Sequence, residues 1–364
     1  MNAKPLSKSV AVLLLFVLSI GSLYIAKEFL VPVALAGILA MLLLPLGKRI
    51  ETWGLNRGWS SLLSVLVLLL VASGIIALLS FQITDLTEDM TGVQDRLMKM
   101  AEQLRAYISN TLGISKDQQK QMLQKQQASA SGNVGSVVTA ITGSLMNGLV
   151  NLVLVLVYIF LLLFLRNRFR QFVLKLVPVD EKKNAETILF ESTRVARQYL
   201  GGLALMIGCL WVLYGIGFSI VGVKHALFFA VLCGLLEIVP FVGNLTGTGI
   251  TVLMAITQGG GSSMILGVLA TYLLIQFVQT YILEPLVVGS EVNINPFFTI
   301  LVIVAGELIW GVPGMILALP LAGIMKVVFD RVPSLQPYGY LIGEDKKDDD
   351  GNIMQKVKGW FGRK

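Results

Sequence analysis

Residues 226–325 form a hundred-residue stretch without a single Lys, Arg or Asp. Its only charged side chains are four glutamates, Glu237, Glu284, Glu291 and Glu307. Around them run long apolar segments interrupted by Gly and Pro, as in Glu237-Ile-Val-Pro240-Phe-Val-Gly243-Asn244, Glu284-Pro285 and Gly311-Val-Pro313-Gly314. An acid at membrane depth is costly and faces a protein interior or a wet cavity, so it is a functional candidate. Interrupted helices at such depth line cavities rather than lipid. Over all 364 residues, 55% are hydrophobic and 14% charged, with a mean hydropathy of +0.76. Those values describe an integral membrane protein that crosses the bilayer many times.

The net charge of +7 comes from basic residues gathered at the ends of apolar runs, where anionic headgroups attract them. Nucleic acid is not an expected partner; membrane lipid is. The two cysteines, Cys209 and Cys233, lie inside apolar runs and read as small core residues. One histidine, His225, gives no transition-metal cluster, so neither metal nor cofactor is expected. Phosphate-loop, dinucleotide and zinc motifs are missing from the sequence, and a single histidine leaves little for a nucleophile–base pair. An enzyme is therefore disfavoured, as is an ATP-driven pump, which needs a nucleotide domain.

Lys4 and Lys8 precede an apolar run at 9–26, too long for a signal core and followed by further spans, which reads as an uncleaved first span. A second span at 29–46 carries Pro32 and Pro45; a third covers 60–81. The loop between them holds Lys48, Arg49 and Arg57, which together with Lys4 and Lys8 puts the N-terminus in the cytoplasm. From 84 to 135 the character changes. Leu86, Met90, Val93, Leu97, Met100 and Leu104 recur at alternating spacings of four and three, with Tyr107 or Ile108 next, giving an amphipathic extracytoplasmic helix. It either folds onto its own chain or packs against copies of itself. A fourth span at 141–165 returns to Arg166, Arg168, Arg170 and Lys175. Asp180 then caps an amphipathic surface helix through Tyr199, and a glycine-rich fifth span follows at 200–223.

The stretch 226–325 divides further. The apolar pieces 226–239 and 246–257 are short for a bilayer of about 30 Å and are separated by Pro240 and Gly243. A full span at 264–283 ends at Glu284-Pro285, where the proline biases the glutamate away from helical geometry. A second short pair, 297–309 and 315–329, hinges at Pro313 and Gly314, with Pro320 expected to interrupt its second member. Each pair is either a re-entrant hairpin or two tilted spans. The fold expectation is an all-α polytopic membrane protein with about six full spans plus two broken or re-entrant pairs, eight to ten apolar segments in all. The link after Glu284 and the C-terminus both fall on the cytoplasmic side. The organisation expected is 1–83, three spans; 84–135, the extracytoplasmic insertion; 136–165, the fourth span; 166–199, cytoplasmic helices; 200–329, the transport region; and 330–364, a cytoplasmic tail. In that tail Ile353, Met354, Val357, Trp360 and Phe361 can share one face of a surface helix.

A carboxyl in a partly desolvated site can exchange a proton or hold a cation. Glu237, three residues before Pro240, is the main candidate, with Glu284 and Glu307 second. Glu291 reads as a solvated loop residue. Asn244, Thr246, Thr248 and Gln279 can supply neutral ligands, and Pro240, Gly243, Pro285, Pro313, Gly314 and Pro320 the hinges. Three motifs then carry a resemblance. They are Leu235-Leu-Glu237-Ile-Val-Pro240-Phe-Val-Gly243, Ile282-Leu-Glu284-Pro285-Leu-Val-Val-Gly289, and Trp310-Gly-Val-Pro-Gly314 continuing to Lys326. With Val31-Pro32 and Pro45, they resemble the autoinducer-2 exporter family, also called PerM-type permeases, over nearly the whole chain. The resemblance implies a multi-pass bacterial inner-membrane protein and a homo-oligomer. It implies export of a small polar solute, or antiport of Na+ or another cation against protons. The run Glu291-Val-Asn-Ile-Asn295-Pro296 lacks a basic residue, a departure that bears on substrate charge. The alternative class is an oligomeric channel or scaffold without proton coupling.

Overall fold

The computed structural model describes residues 5–89, 151–239, 242–288 and 293–344. They are almost entirely helical, joined by short turns; one isolated bridge, Ile294 to Gly343, is the only β pairing among the described residues. In chain order the helices are α1 (Pro5–Ile25), α2 (Lys27–Glu51), α3 (Arg57–Asp89), α4 (Asn151–Phe164), α5 (Arg166–Leu176), α6 (Lys182–Val221), α7 (Ala226–Leu236), α8 (Val242–Thr257) and α9 (Gly261–Val278). A π-helix, Gln279–Val288, follows α9 directly, and then come α10 (Pro296–Trp310), α11 (Val312–Arg331) and α12 (Gln336–Ile342). Among the described residues, five helical stretches are long and apolar enough to cross a membrane: Lys27–Glu51, Arg57–Ser80, Val179–Val221, Gly261–Glu284 and Val312–Arg331. The bent pair α4 and α5 makes a sixth if taken as one span. The chain is an all-α polytopic membrane protein, since helices are how a chain satisfies its backbone internally where water is absent.

Three local expectations change. The surface helix and the fifth span are one helix, α6, of 40 residues. Gly201 and Gly202 cost a helix about 1 kcal/mol each, too little to end one where neither Pro nor a cap intervenes. Pro320 does not interrupt α11; it lies inside the helix and is buried. Glu284 and Pro285 do not leave helical geometry but sit within the π-helix. The wider turn suits a residue that has no N–H to donate and whose ring crowds the carbonyl of an α-helix. The amphipathic segment from 90 onward, the start of the fourth span and the tail beyond 344 lie outside the described residues, as do Pro240 and Glu291.

The chain divides into two compact units. One comprises Ile25–Asn167 and Gly201–Gly289. Its first core joins Ala36, Ala40 and Leu43 of α2 to Val65 of α3 and Ile159 and Leu163 of α4. At the ends of these helices Ser60 Oγ donates to the Gly47 carbonyl at 2.5 Å, and Arg166 pairs with Glu51 at 2.5 Å. Its second core joins Leu210, Tyr214 and Phe218 of α6 to Phe229, Ala230 and Cys233 of α7, Met254 and Ala255 of α8, and Val268 and Ile275 of α9. Large apolar side chains on α9, Leu266, Leu273, Leu274 and Phe277 among them, are exposed. On a membrane helix that is the surface offered to acyl chains, and helix association rests on close packing and polar contacts instead.

The other unit comprises Met1–Tyr24, Arg168–Leu200 and Ser290–Lys364. Here α10 and α11 fold back on each other. Gly306 and Gly314 meet so closely that a Cβ on Gly306 would stand 2.8 Å from the Gly314 carbonyl carbon. Asn295 caps α10, its side-chain oxygen accepting from Phe298 N–H at 3.0 Å, while its Nδ2 donates to the Leu341 carbonyl at 3.2 Å. Arg331, at the end of α11, makes a forked pair with Glu191 of α6, and Asn184 donates to the Arg331 carbonyl at 3.0 Å. Trp310 Nε1 donates to the Leu23 carbonyl at the end of α1 at 3.0 Å.

Candidate functional site

In the unit built from Ile25–Asn167 and Gly201–Gly289, α7 and α8 form a tight hairpin. The sequence forces the approach through glycine. A Cβ on Gly247 would lie 3.0 Å from Cys233 Sγ, and one on Gly243 would run into the Leu236 carbonyl. The hairpin is tied by Thr251, fully buried, whose hydroxyl donates to the Gly247 carbonyl at 2.8 Å and stands 3.6 Å from Cys233 Sγ. α7 ends at Leu236, and Glu237 takes the C-cap position, its N–H donating to the Cys233 carbonyl at 3.1 Å. The glutamate therefore projects from a helix terminus whose last carbonyls at Cys233, Leu235 and Leu236 are closed by the N–H groups of Glu237, Ile238 and Val239.

Its partner comes from the segment after α9. Gln279 Nε2 donates to Glu237 Oε1 at 2.7 Å. Gln279 is only 1% exposed, and its own carbonyl oxygen is buried without a hydrogen bond among the described residues. Glu284, exposed on the π-helix, lies within electrostatic reach of both Gln279 and Glu237. One amide thus binds one acid and stands near a second. The π-helix is what makes this possible. Residues five apart on an α-helix point about 140° away from each other. The i to i+5 bonding of a π-helix stacks them on one side. Gln279 and Glu284 are five apart, and the π-helix begins at Gln279. π-segments are rare and concentrate at functional sites.

Around this pair stand Tyr214 of α6 and Tyr272 of α9, each within electrostatic reach of Glu237. No basic side chain occurs in the sequence between 226 and 325 to neutralise the two acids. Thr248 on α8 is 7% exposed with its hydroxyl unbonded among the described residues, whereas Thr246 is exposed. Asn244 is within α8, and Pro240 is outside the described residues. Glu307 is not brought into this centre: it belongs to the other unit, where it is exposed on α10. Pro313 and Gly314 lie in the first turn of α11, after Gly311 at φ 64°. Sequence reasoning ranked Glu237 first but treated Gln279 as one neutral ligand among several. A polar residue five positions before an acid and a proline was the available signal.

Membrane-length helices with a half-buried acid–amide contact and glycine-packed hairpins describe a multi-pass membrane protein. Residues 13–334 match the family described as AI-2E family transporter. The chain belongs to that family. It is 24% identical over 321 residues to YueF of Bacillus subtilis (strain 168), named as a transport protein, covering 84% of each chain. It is 26% identical over 338 residues to PerM of Escherichia coli (strain K12), named as a permease, covering 90% of this chain and 94% of that one. It is 22% identical over 349 residues to the AI-2 transport protein TqsA of Escherichia coli (strain K12), covering 94% and 97%.

Proposed function

We propose that this protein is a secondary transporter in which Glu237, Gln279 and Glu284 form the centre that couples movement of a solute or cation to protons. The observation that carries the reading is the hydrogen bond from the buried Gln279 to the half-buried Glu237, 2.7 Å long, beside a second acid and without a basic residue in the surrounding hundred positions of sequence. A half-buried acid beside a second negative charge favours taking up a proton or a small cation. A proton and a cation that compete for one carboxyl cannot both occupy it, and that competition is the elementary requirement of exchange. The solute is proposed to be small and polar, in keeping with the name of TqsA as an AI-2 transport protein, with Na+ as the cation to test. The setting proposed is the bacterial inner membrane with both termini cytoplasmic, in a homo-oligomer, with the hairpin α7–α8 entering the bilayer and leaving on the same side.

The test is flux in proteoliposomes under an imposed proton gradient, screening Na+, K+ and a small polar solute. Coupled flux that disappears in Glu237→Gln while the protein stays folded supports the assignment. Undiminished coupling in that variant removes Glu237 from the role. Unitary currents in planar bilayers that ignore the proton gradient would instead mark an uncoupled channel.

A further inference from the structure

Among the described residues, the Gln279 amide is held at one end only. Its Nε2 donates to Glu237 Oε1, and its Oε1 is buried with no partner among the described residues. An open buried acceptor is unfavourable, and natural structures keep few of them without a purpose. The orientation follows from Glu237. An ionised carboxylate only accepts hydrogen bonds, so the amide must offer it the NH2 end and turn its oxygen away. A protonated carboxyl can donate as well. The amide can then accept through Oε1 from the Glu237 hydroxyl, which leaves Nε2 where Oε1 had been. The two ends of an amide have nearly the same shape, and the terminal torsion of Gln is broad and roughly two-fold, so both orientations fit the same space.

We propose that Gln279 is the positioning residue that converts the protonation of Glu237 into the hydrogen-bonding polarity of the centre. With Glu237 ionised, the free end of Gln279 is an acceptor, suited to a small dehydrated cation or to an O–H or N–H group. With Glu237 protonated, the free end is a donor, suited to the carbonyl or hydroxyl oxygen of a polar solute. One proton from solution is taken up by Glu237 in each reversal, and no covalent bond of Gln279 changes. The titratable groups facing Glu237 are Tyr214 from α6, Cys233 on its own helix, Tyr272 from α9 and Glu284 from the π-helix. Among these groups Glu284 is the acid that also acts on Gln279, so it is the competitor for the amide to control for. The proposal rests on the reading of Glu237 as the group that exchanges a proton.

The experiment is infrared difference spectroscopy on the full chain in lipid bilayers, acid minus neutral, with the glutamine side-chain carbonyl labelled by ¹³C. Subtracting the same difference for Gln279→Met isolates the Gln279 band. The expected result is a Gln279 carbonyl band that moves in step with the appearance of a protonated carboxyl band, with both changes absent in Glu237→Gln and both retained in Glu284→Gln. A second readout is proton-driven Na+ flux. Gln279→Met should flatten its pH profile, cutting the acid-to-neutral ratio by about tenfold or more, as expected for a lost hydrogen bond to a charged group. A Glu237 carboxyl band that appears while the Gln279 band stays still overturns the proposal, as does movement that survives in Glu237→Gln. Coupled flux with an unmoved band removes the amide reversal alone. A moving band without coupled flux removes only the transport reading, and a Glu237 band that never appears removes both.

Discussion

The two helical hairpins, α7–α8 and α10–α11, are built by the same device and serve different ends. Each is an apolar pair of helices whose close approach depends on glycine: Gly243 and Gly247 in the first, Gly306 and Gly314 in the second. Each carries a glutamate near its turn, Glu237 in one and Glu307 in the other. The first glutamate is partly buried and receives a hydrogen bond from Gln279; the second is exposed. Glycine packing therefore makes a hairpin but does not make a site. The site appears where a further element, the π-helix after α9, brings an amide and a second acid to the hairpin's acid. The ends of the second hairpin are tied by structural contacts instead, the Asn295 cap and the forked Arg331–Glu191 pair.

This contrast can be broken or sharpened by substitution. The largest effect is expected from exchanging the two acids for amides. Glu237→Gln should abolish proton-coupled flux, whereas Glu307→Gln should leave it within about twofold, because Glu307 is exposed and stands apart from the Glu237–Gln279 contact. Equal losses in the two variants would erase the distinction between the hairpins. Next come the glycines. Gly243→Val and Gly314→Val each place a side chain against a backbone carbonyl. Each should destabilise by at least the 1–3 kcal/mol or so typical of overpacking, visible as a lower unfolding temperature in detergent. A fall for one and not the other would mean the hairpins do not share their packing logic.

A smaller effect is expected at Pro285. Pro285→Ala removes the bar to α-helical bonding. If the segment reverts, Glu284 turns away from Gln279, and coupled flux should drop several-fold while stability holds or rises slightly. Cross-linking of cysteines placed at 279 and 284, read in the wild-type and Pro285→Ala backgrounds, would report the register directly. The smallest effect is Asn295→Ala, which deletes the cap of α10 and should cost about 1 kcal/mol of stability. Coupled flux should be unchanged, and a flux defect there would bring the second hairpin into the mechanism.

Much of the fold was legible in the sequence. Apolar runs of membrane length gave the spans, and the breaks at Pro240 and at Trp310-Gly-Val-Pro-Gly314 marked both hairpin turns. These are local signals, since hydropathy and the geometry of Gly and Pro act within a few residues. What was misread is equally instructive. Pro320 and Pro285 both looked like helix ends. One is absorbed inside a packed helix and the other sits in a wider turn. A proline's clash can be accommodated by helical widening or by neighbours, and neither outcome is written in the residues beside it. The continuous α6 was hidden for the opposite reason, because a change from amphipathic to apolar patterning resembles a boundary although nothing stops the backbone.

For the candidate site the same division holds. The sequence by itself determined that Glu237 and Glu284 would be acids in an apolar region with no basic residue among their neighbours along the chain, because the absence of Lys and Arg over a hundred positions is a matter of composition. It also determined the helical class, because a chain so apolar must close its own backbone hydrogen bonds. Only the tertiary structure decided that Gln279, 42 residues away in sequence from Glu237, would be its partner. Only the tertiary structure set the π register that turns Glu284 to the same side. The first depends on long-range packing that brings the end of α7 to the end of α9, with close approach of α7 and α8 at Gly243 and Gly247; the second is a choice of backbone register that local propensity does not make.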